Sequence, residues 1–542
     1  MAPRPPKKQS QSAAAQLQPL ARLSLLGAAT SGLLLVLAFP KFNLLPLASV
    51  ALLPLLLTTA KEPSARRRFL GGFLAGVVFF AGTCYWIYNV QRDYGGLNVA
   101  EAAGVFFLFC STLALYFAMF SWLGGYLWNL SWGPAAVPLL WVALEYARTY
   151  LITGFPWLLT GYALTDYFPL ARLARWTGVY GLSYLLLALP AACLWLLIRP
   201  SKLATLHLLG VVGLVGGLSI TYQPKPMAED QRAYLVQTNI PQDAAFEKWD
   251  THTQAPLLNR LWDLTVKSVG RQEPPALVIW PEVPAPFYFG NDTFTQPYAE
   301  GIARQTHSYF YMGIVSYVEG ATQSSPTNSA VLLDPSGRLI SRYDKIHLVP
   351  FGEYVPLRRW LRFADKLTAE AGDFVPGSRL VVSPIEGRSP AGTRPGTMSG
   401  LICYEVIFPD LARGAVQRGA QVLVNISNDG WYGSSAARNQ HLLMARMRAI
   451  ENARYLLRAT NTGITAVIRP DGQIASQLPP DRPGVLRAQW SFQTGETFYT
   501  RHGDWFAWIA CAAALLALGS AWSHTRRSPA RTKARTKART KE

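Results

Sequence analysis

Eight long apolar runs dominate this sequence, over residues 20–39, 43–60, 69–90, 103–131, 134–153, 170–198, 203–222 and 504–523. A helix needs about 20 mostly apolar residues to cross the hydrocarbon core of a bilayer. A chain with eight such runs is not a water-soluble single-core protein, and an eight-helix transmembrane domain is expected. The first run is not a cleavable leader, because further apolar segments follow it at once. The fourth is long enough to tilt or to extend past the bilayer.

Charge supports the same division. Only 15% of the 542 residues are charged, against roughly 25% in soluble domains. The net charge of +19 would suit a nucleic-acid partner, but its distribution argues for no nucleic acid. The stretch from Tyr222 to Gly503 is nearly balanced, and much of the excess lies at the ends, in Arg4, Lys7 and Lys8 and from Arg526 to Lys541. Lys61, Arg66, Arg67 and Arg68 follow the second run, and Arg199 and Lys202 follow the sixth. Cytoplasmic loops carry such an excess. Arg148, Arg172 and Arg175, around the loop after the fifth run, work against the rule. The balance predicts a cytoplasmic basic N-terminus (1–19), a membrane domain of seven helices (20–222), an outward-facing domain (223–503), an eighth helix (504–523) and a cytoplasmic basic tail (524–542). The tail repeats Ala-Arg-Thr-Lys and reads as solvated and disordered, with some attraction to anionic lipid.

Residues 223–503 read as α/β. Ala233–Gln237, Ala276–Trp280, Tyr309–Val315, Ala330–Asp334, Gly400–Tyr404 and Val422–Ile426 are short apolar or β-branched runs suited to buried strands. From Ala437 to Arg458 the period lengthens. Leu442, Ala445, Ala449, Ala453 and Leu457 recur at helical spacing.

Polar groups stand where these strands end, which is where α/β sheets place ligand sites. Glu282 follows one run through Pro281. Cys403 closes another and precedes Tyr404 and Glu405. Asn428 and Asp429 follow a third. A further segment, Tyr343–Glu353, places Lys345 and Glu353 near a turn. Of the five cysteines, only Cys403 lies outside the apolar runs, so it has no disulfide partner there. A thiol attacks carbonyls as a thiolate and needs a base or a positive neighbour. A glutamate whose pKa burial raises can be that base, and a lysine can stabilise both thiolate and oxyanion. Each residue also has an ordinary structural explanation. Cys403 suits a small buried core position, Glu282 a cap, Lys345 and Glu353 a solvated pair, and Glu405 a surface charge. A metal site from Glu282, His347, Glu353 and Glu405 lacks closely spaced His or Cys ligands. No metal and no cofactor are expected.

Taken together, Trp280-Pro281-Glu282, the Tyr343–Pro356 segment, Ile402-Cys403-Tyr404-Glu405 and Asn428-Asp429-Gly430-Trp431-Tyr432-Gly433 resemble the nitrilase superfamily. That resemblance implies a Glu-Lys-Cys triad on an α-β-β-α sandwich. Further segments resemble the apolipoprotein N-acyltransferases within it. They are Asn239–Gln242, His347–Glu353, Met444–Ala449, Thr460–Thr465 and, between apolar runs, Gly154-Phe155-Pro156-Trp157. The resemblance covers nearly the whole chain except the N-terminus and the repetitive tail. It implies a nitrilase-like domain inserted between helices of the eight-helix membrane domain.

By that resemblance Glu282 is the general base, Lys345 the oxyanion stabiliser and Cys403 the nucleophile. Glu353 is the supporting glutamate, Tyr404 and Glu405 shape the pocket, and Trp249 and Asn328 lie near the substrate mouth. The implied reaction is a ping-pong transfer from a phospholipid acyl donor to the free α-amine of a diacylated apolipoprotein acceptor. The implied setting is the bacterial inner membrane, with a monomer whose catalytic domain faces the periplasm. Phe287, Tyr288, Leu357, Trp360 and Leu361 suit either a lateral entrance from the bilayer or ordinary packing on the sheet. A membrane-tethered amidase and a non-enzymatic scaffold are the competing readings.

Overall fold

The structure, a computed structural model, describes residues 25–223, 227, 229–240, 251–283, 287, 289, 293–317, 326–355, 374–389 and 392–539. Trp249, Tyr288, Leu357, Trp360 and Leu361 lie outside them.

Among the described residues, twelve strands form the C-terminal half. They are β1 (Gln231–Gln237), β2 (Leu277–Ile279), β3 (Tyr309–Tyr317), β4 (Pro326–Leu333), β5 (Leu339–Asp344), β6 (Val382–Ser389), β7 (Gly392–Ile402), β8 (Val422–Ser427), β9 (Leu456–Thr460), β10 (Ala466–Ile468), β11 (Ile474–Gln477) and β12 (Gly484–Trp490). They make two six-stranded sheets, ordered β12-β1-β2-β3-β4-β5 and β11-β10-β9-β8-β7-β6. In each sheet the three parallel strands lie together: β1, β2 and β3 in one, and β7, β8 and β9 in the other. The remaining strands pair antiparallel.

Three apolar layers hold the sheets in place. Between them pack Leu235, Ile279, Leu332, Ile402, Val424, Ile426 and Leu457. Outside the first sheet, helices Thr251–Val269 and Thr295–Thr306 supply Leu258, Leu261, Tyr298 and Ile302 to a layer with Trp280 and Phe310. Outside the second sheet lie helices Pro409–Gln417 and Ala437–Asn452. The result is an α-β-β-α sandwich. All six expected strands are present, several of them longer than the apolar runs alone indicate.

The outer helix layer of the second sheet is not exposed. Val406, Ile407, Phe408, Leu411, Leu442, Leu443, Met444 and Met447 share one continuous core with Phe79, Phe80, Phe117, Trp157 and Leu186 of the N-terminal helices. Helix Ala437–Asn452 is therefore buried around its whole circumference, not along one stripe. It also ends earlier than its periodicity implies. Ala453 takes a left-handed conformation (φ 50°) at the helix end, and Leu457 sits on β9. A strand residue fell on the helical spacing by coincidence.

The N-terminal part is helical, with several apolar helices, as a membrane protein requires. Among the described residues four are long and apolar enough to cross a bilayer: Val99–Leu127, Val179–Ile198, Lys202–Ile220 and the first part of the last helix, Trp505–His524. A fifth crossing arises if Ala65–Thr83 and Trp86–Asp93, bent by 57°, count as one span. Leu25–Ala38 and Leu45–Lys61 are shorter apolar segments. The run at 134–153 gives only the helix Val137–Tyr150, which buries Glu145 and Arg148. The run at 170–198 breaks at Gly178, whose φ of 65° no helix accommodates. Apolar content marks depth in the membrane but not these interruptions. The last helix continues to Arg539, well into the basic stretch expected to be disordered. Extending a formed helix needs no new nucleus.

Candidate active site

The site forms where parallel strands of both sheets end. β2 runs out at Trp280, whose indole donates to Thr265 Oγ1 (3.1 Å) and anchors the exit. The chain then crosses β3 at Gly313, where a Cβ would lie 2.5 Å from Val283 N and 2.8 Å from Glu282 Cα. Glycine at 313 lets Glu282 turn inward. Lys345 leaves β5, its backbone N–H bonded to Asn328 O of β4 (2.8 Å). Glu353 closes the turn after Val349 and accepts the Val349 N–H at 2.8 Å.

These side chains meet in one buried cluster. Lys345 Nζ donates to Glu282 Oε1 (3.2 Å) and Glu353 Oε1 (2.9 Å), at 1% exposure. Asn328 Nδ2 donates to the same two oxygens, at 2.8 and 2.7 Å. The second oxygen of Glu282 accepts the backbone N–H of Asn428 (2.9 Å), which follows β8. Asn328 thus lies on the carboxylates and bridges them. Lys345 and Glu353 are a buried pair, not a solvated one.

Cys403 stands at the end of β7 in a left-handed backbone conformation (φ 51°), rare for a residue with a Cβ. Such strain gathers at functional turns. Glu405 is fully buried and is no surface charge. Its Oε1 accepts from Tyr343 OH (2.8 Å), Ile346 N (2.7 Å) and His347 N (3.1 Å), and its Oε2 from Ile402 N (2.7 Å). One carboxylate therefore ties the lysine loop to the cysteine turn. Tyr404 points the other way, packing edge-on against Phe408 (5.3 Å) beside His347. Phe287 packs among Trp280 and Tyr298 in the outer layer of the first sheet.

Electrostatics follow from this enclosure. Burial opposes the charge on Lys345, but the Glu282 and Glu353 carboxylates outweigh it and hold its pKa above the ordinary lysine value. Burial, then the Glu282 charge, pushes the Cys403 thiol well above its usual range, and Lys345 only partly offsets them. The resting group is thus a neutral thiol beside a lysine ammonium. Moving the thiol proton to Glu282 would leave a thiolate facing that ammonium, with no net charge created. Burial also draws His347 down to about 4, so its ring is neutral at pH 7.

Sequence reading marked Glu282, Lys345, Glu353, Cys403 and Glu405, and the fold brings all five together. It missed His441, Arg458 and the bridging place of Asn328. Asn428 and Asp429, marked only as a strand end, do reach the site: Asn428 through Glu282, and Asp429 through His441, which lies 3.1 Å from Asp429 Oδ1 and 3.2 Å from Cys403 O.

Comparison with known proteins matches this chain to a family. Residues 232–498 match the carbon-nitrogen hydrolase model, and residues 31–193 match the apolipoprotein N-acyltransferase N-terminal domain. A protein named apolipoprotein N-acyltransferase from Geobacter metallireducens is 39% identical over 512 residues, covering 92% of this chain and 95% of that protein. One of the same name from Methylococcus capsulatus is 34% identical, covering 93% and 97%. Among solved structures, an amidase of the nitrilase superfamily from Nesterenkonia AN1 covers 51% of this chain and 95% of its own, at 23% identity and a TM-score of 0.35, too remote to carry weight. With both halves matched and full-length relatives at this identity, the chain belongs to the apolipoprotein N-acyltransferase family.

Proposed function

We propose that Cys403 takes a fatty acyl group from a phospholipid and passes it to the α-amine of an N-terminal diacylglyceryl cysteine. In the first half, the Cys403 S–H proton moves to Glu282 and the sulfur attacks the ester carbonyl. Lys345 stabilises the oxyanion. The ester C–O bond breaks, Glu282 returns the proton to the departing alkoxide, and a lysophospholipid leaves behind a thioester. In the second half the amine attacks the thioester. Glu282 takes its proton, the C–S bond breaks, and the thiolate is reprotonated as the amide departs. Glu353 and Asn328 hold base and lysine in register, and Glu405 and Tyr404 brace the turn. For Trp249 we keep a place near the substrate mouth.

One observation carries this reading beyond simple hydrolysis. The sheet bearing Cys403 lays its helix layer directly on the apolar helices in one core. Cys403 packs between the sheets while Tyr404 beside it joins that shared core, so acyl chains that reach the thiol from this side need not be drawn into water, a transfer that costs about 0.8 kcal/mol per CH₂. Exposed Leu203, Leu206, Leu209, Leu515 and Leu516 give those helices a lipid-facing side. The test uses purified protein in lipid with an acyl-labelled phospholipid and a diacylated lipopeptide. Labelled amide and lysophospholipid are expected in equal amounts. Label released mainly as free fatty acid would favour the amidase reading instead.

We also place the domain of residues 223–503 in the periplasm, with eight crossings of the bacterial inner membrane in all. On this reading the short segments Leu25–Ala38, Leu45–Lys61 and Val137–Tyr150 complete the crossings that the longer helices begin. The loop charges support an odd number of spans before residue 223. The protein acts as a monomer, a reading supported by a triad drawn from one chain. A reporter that works only in the periplasm, joined at residue 231, is expected to be active. Activity there from a cytoplasm-only reporter would overturn the orientation.

A further inference from the structure

Helix Ala437–Asn452 carries a histidine that the mechanism above does not use. His441 is completely buried, and its ring meets polar groups at both nitrogens. Nε2 lies 3.2 Å from the carbonyl oxygen of Cys403. Nδ1 lies 3.1 Å from Asp429 Oδ1 and 3.0 Å from Arg458 Nη2. Arg458 Nη2 also donates to both Asp429 oxygens, at 2.9 and 2.7 Å, and Ser427 Oγ donates to Oδ1 at 2.7 Å. The Nε2–H tautomer pairs these groups best. It donates to Cys403 O, while Nδ1 accepts from Arg458 and Asp429 keeps its other donors. Nδ1 then faces Asp429 Oδ1 as a second acceptor at 3.1 Å, whereas the alternative tautomer would set two acceptors against each other at Cys403 and two donors against each other at Arg458. Burial and the Arg458 guanidinium both lower the pKa of the ring, against the pull of Asp429, so it stays neutral.

The faces of the ring are held as well. Trp157 stacks on it, centroids 5.9 Å apart at 26°, and Tyr432 meets it edge-on at 5.8 Å. Trp157 belongs to the helical N-terminal part, in the loop after Val137–Tyr150. Arg148 Nη1 holds that loop by donating to the carbonyls of Phe155 (3.2 Å) and Trp157 (2.9 Å). The Trp157 indole donates to Gln440 Oε1 (2.8 Å), and Gln440 Nε2 donates to Pro40 O and Thr83 O (3.0 and 3.1 Å). The residue beside His441 is thus fastened to three segments of the membrane part.

We infer that His441 is a positioning residue for the acyl transfer: its Nε2–H holds the Cys403 carbonyl, and with it the left-handed turn that aims the sulfur, while Trp157 clamps the ring from the membrane side. The bond lies on the strained residue itself, at the one place where the strand must leave the sheet and present a side chain. The membrane part therefore bears on the nucleophile's geometry through the Trp157–His441 stack, beside the Gln440 bonds that fasten the same helix. This rests on Cys403 being the nucleophile.

Three variants of the full-length protein in lipid test it, read by kcat and KM for phospholipid and by the rate of Cys403 alkylation. His441→Phe keeps a flat ring for Trp157 and Tyr432 but has no donor. His441→Gln places an amide N–H near the Nε2 position, and His441→Asn, one methylene shorter, places it near Nδ1 instead. His441→Phe and His441→Asn are expected to lower kcat by about 10²-fold, the usual effect of misplacing a reacting group by an ångström, with KM unchanged. His441→Gln is expected to keep kcat within about tenfold of the parent, the value of one retained hydrogen bond. If Gln and Asn lose activity equally, or Phe retains it, the ring is only a core filler and the inference fails. Should His441→Phe not fold, the Gln and Asn comparison decides alone. Full activity of Cys403→Ala would instead defeat the underlying mechanism, a distinct result.

Discussion

Cys403→Ala is expected to abolish acyl transfer, lowering kcat by at least about 10⁴-fold, the scale on which enzymes lose activity when the nucleophile itself is removed. The other four thiols cannot substitute. Cys84 ends helix Ala65–Thr83, and Cys110, Cys193 and Cys511 lie on apolar helices Val99–Leu127, Val179–Ile198 and the last helix. None stands beside Glu282 and Lys345. Cys403→Ser is expected to fall nearly as far. The site already holds its thiol neutral, by burial and by the Glu282 charge. A hydroxyl is a weaker acid still, and Glu282 would have to move a harder proton. Folding should survive both changes, since only one buried side-chain atom is altered while Glu405 still ties the turn to the lysine loop. The check is turnover of phospholipid and lipopeptide beside a thermal melt. Wild-type turnover by Cys403→Ala, with an unchanged melt, would end the proposed mechanism.

How far the sequence alone discloses this site depends on chain separation. Trp280-Pro281-Glu282 and Ile402-Cys403 are local: a buried run, then a polar residue where the strand must stop. Those were legible. The bridging place of Asn328 was not legible because its partners Glu282 and Glu353 are 46 and 25 residues away, and nothing in the spacing says that β4 lies between them. His441 was invisible for a similar reason. It sits in a helix whose apolar pattern already explains burial, and its purpose appears only when β7 ends against it. In the membrane part the limit is different. Glu145 and Arg148 do not interrupt the apolar run that contains them. Glu145 Oε1 accepts from the Thr160 backbone and hydroxyl at 2.7 and 3.0 Å, and Arg148 donates to the carbonyls of the following loop. Charged groups bonded in this way can be buried among helices, so a hydropathy window shows neither the short length of this helix nor its polar core.

Phospholipid alone, without an amine acceptor, should load the protein with a fatty acyl group, and the triad variants should separate in how they fail to load. Intact-mass measurement should show an acyl increment that hydroxylamine removes, as a thioester requires. Lys345→Met keeps the side-chain stem but deletes the cation that pairs with both Glu282 and Glu353. Loss of one oxyanion donor costs roughly 2.7–4 kcal/mol in the transition state, a slowing of about 10²–10³-fold. The ground state suffers too, because removing one partner of a buried ion pair typically costs about 3–5 kcal/mol of stability. Here the two carboxylates, bridged then only by Asn328 Nδ2, would be relieved when one takes up a proton. If that one is Glu282 the base is lost as well, so loading should fall further than the oxyanion term alone. Glu282→Gln tests the base separately. It keeps the side-chain shape and one oxygen, which can serve Asn328 and Lys345 but not Asn428 as well, and it cannot accept the thiol proton, so loading should vanish while the melt shifts less than in Lys345→Met, where a buried cation is lost. Glu353→Ala should slow loading without abolishing it, because Glu282 still holds the lysine at 3.2 Å. Rapid release of free fatty acid from the unsubstituted protein, with no stable adduct, would show that water competes for the thioester and that the enzyme is a hydrolase.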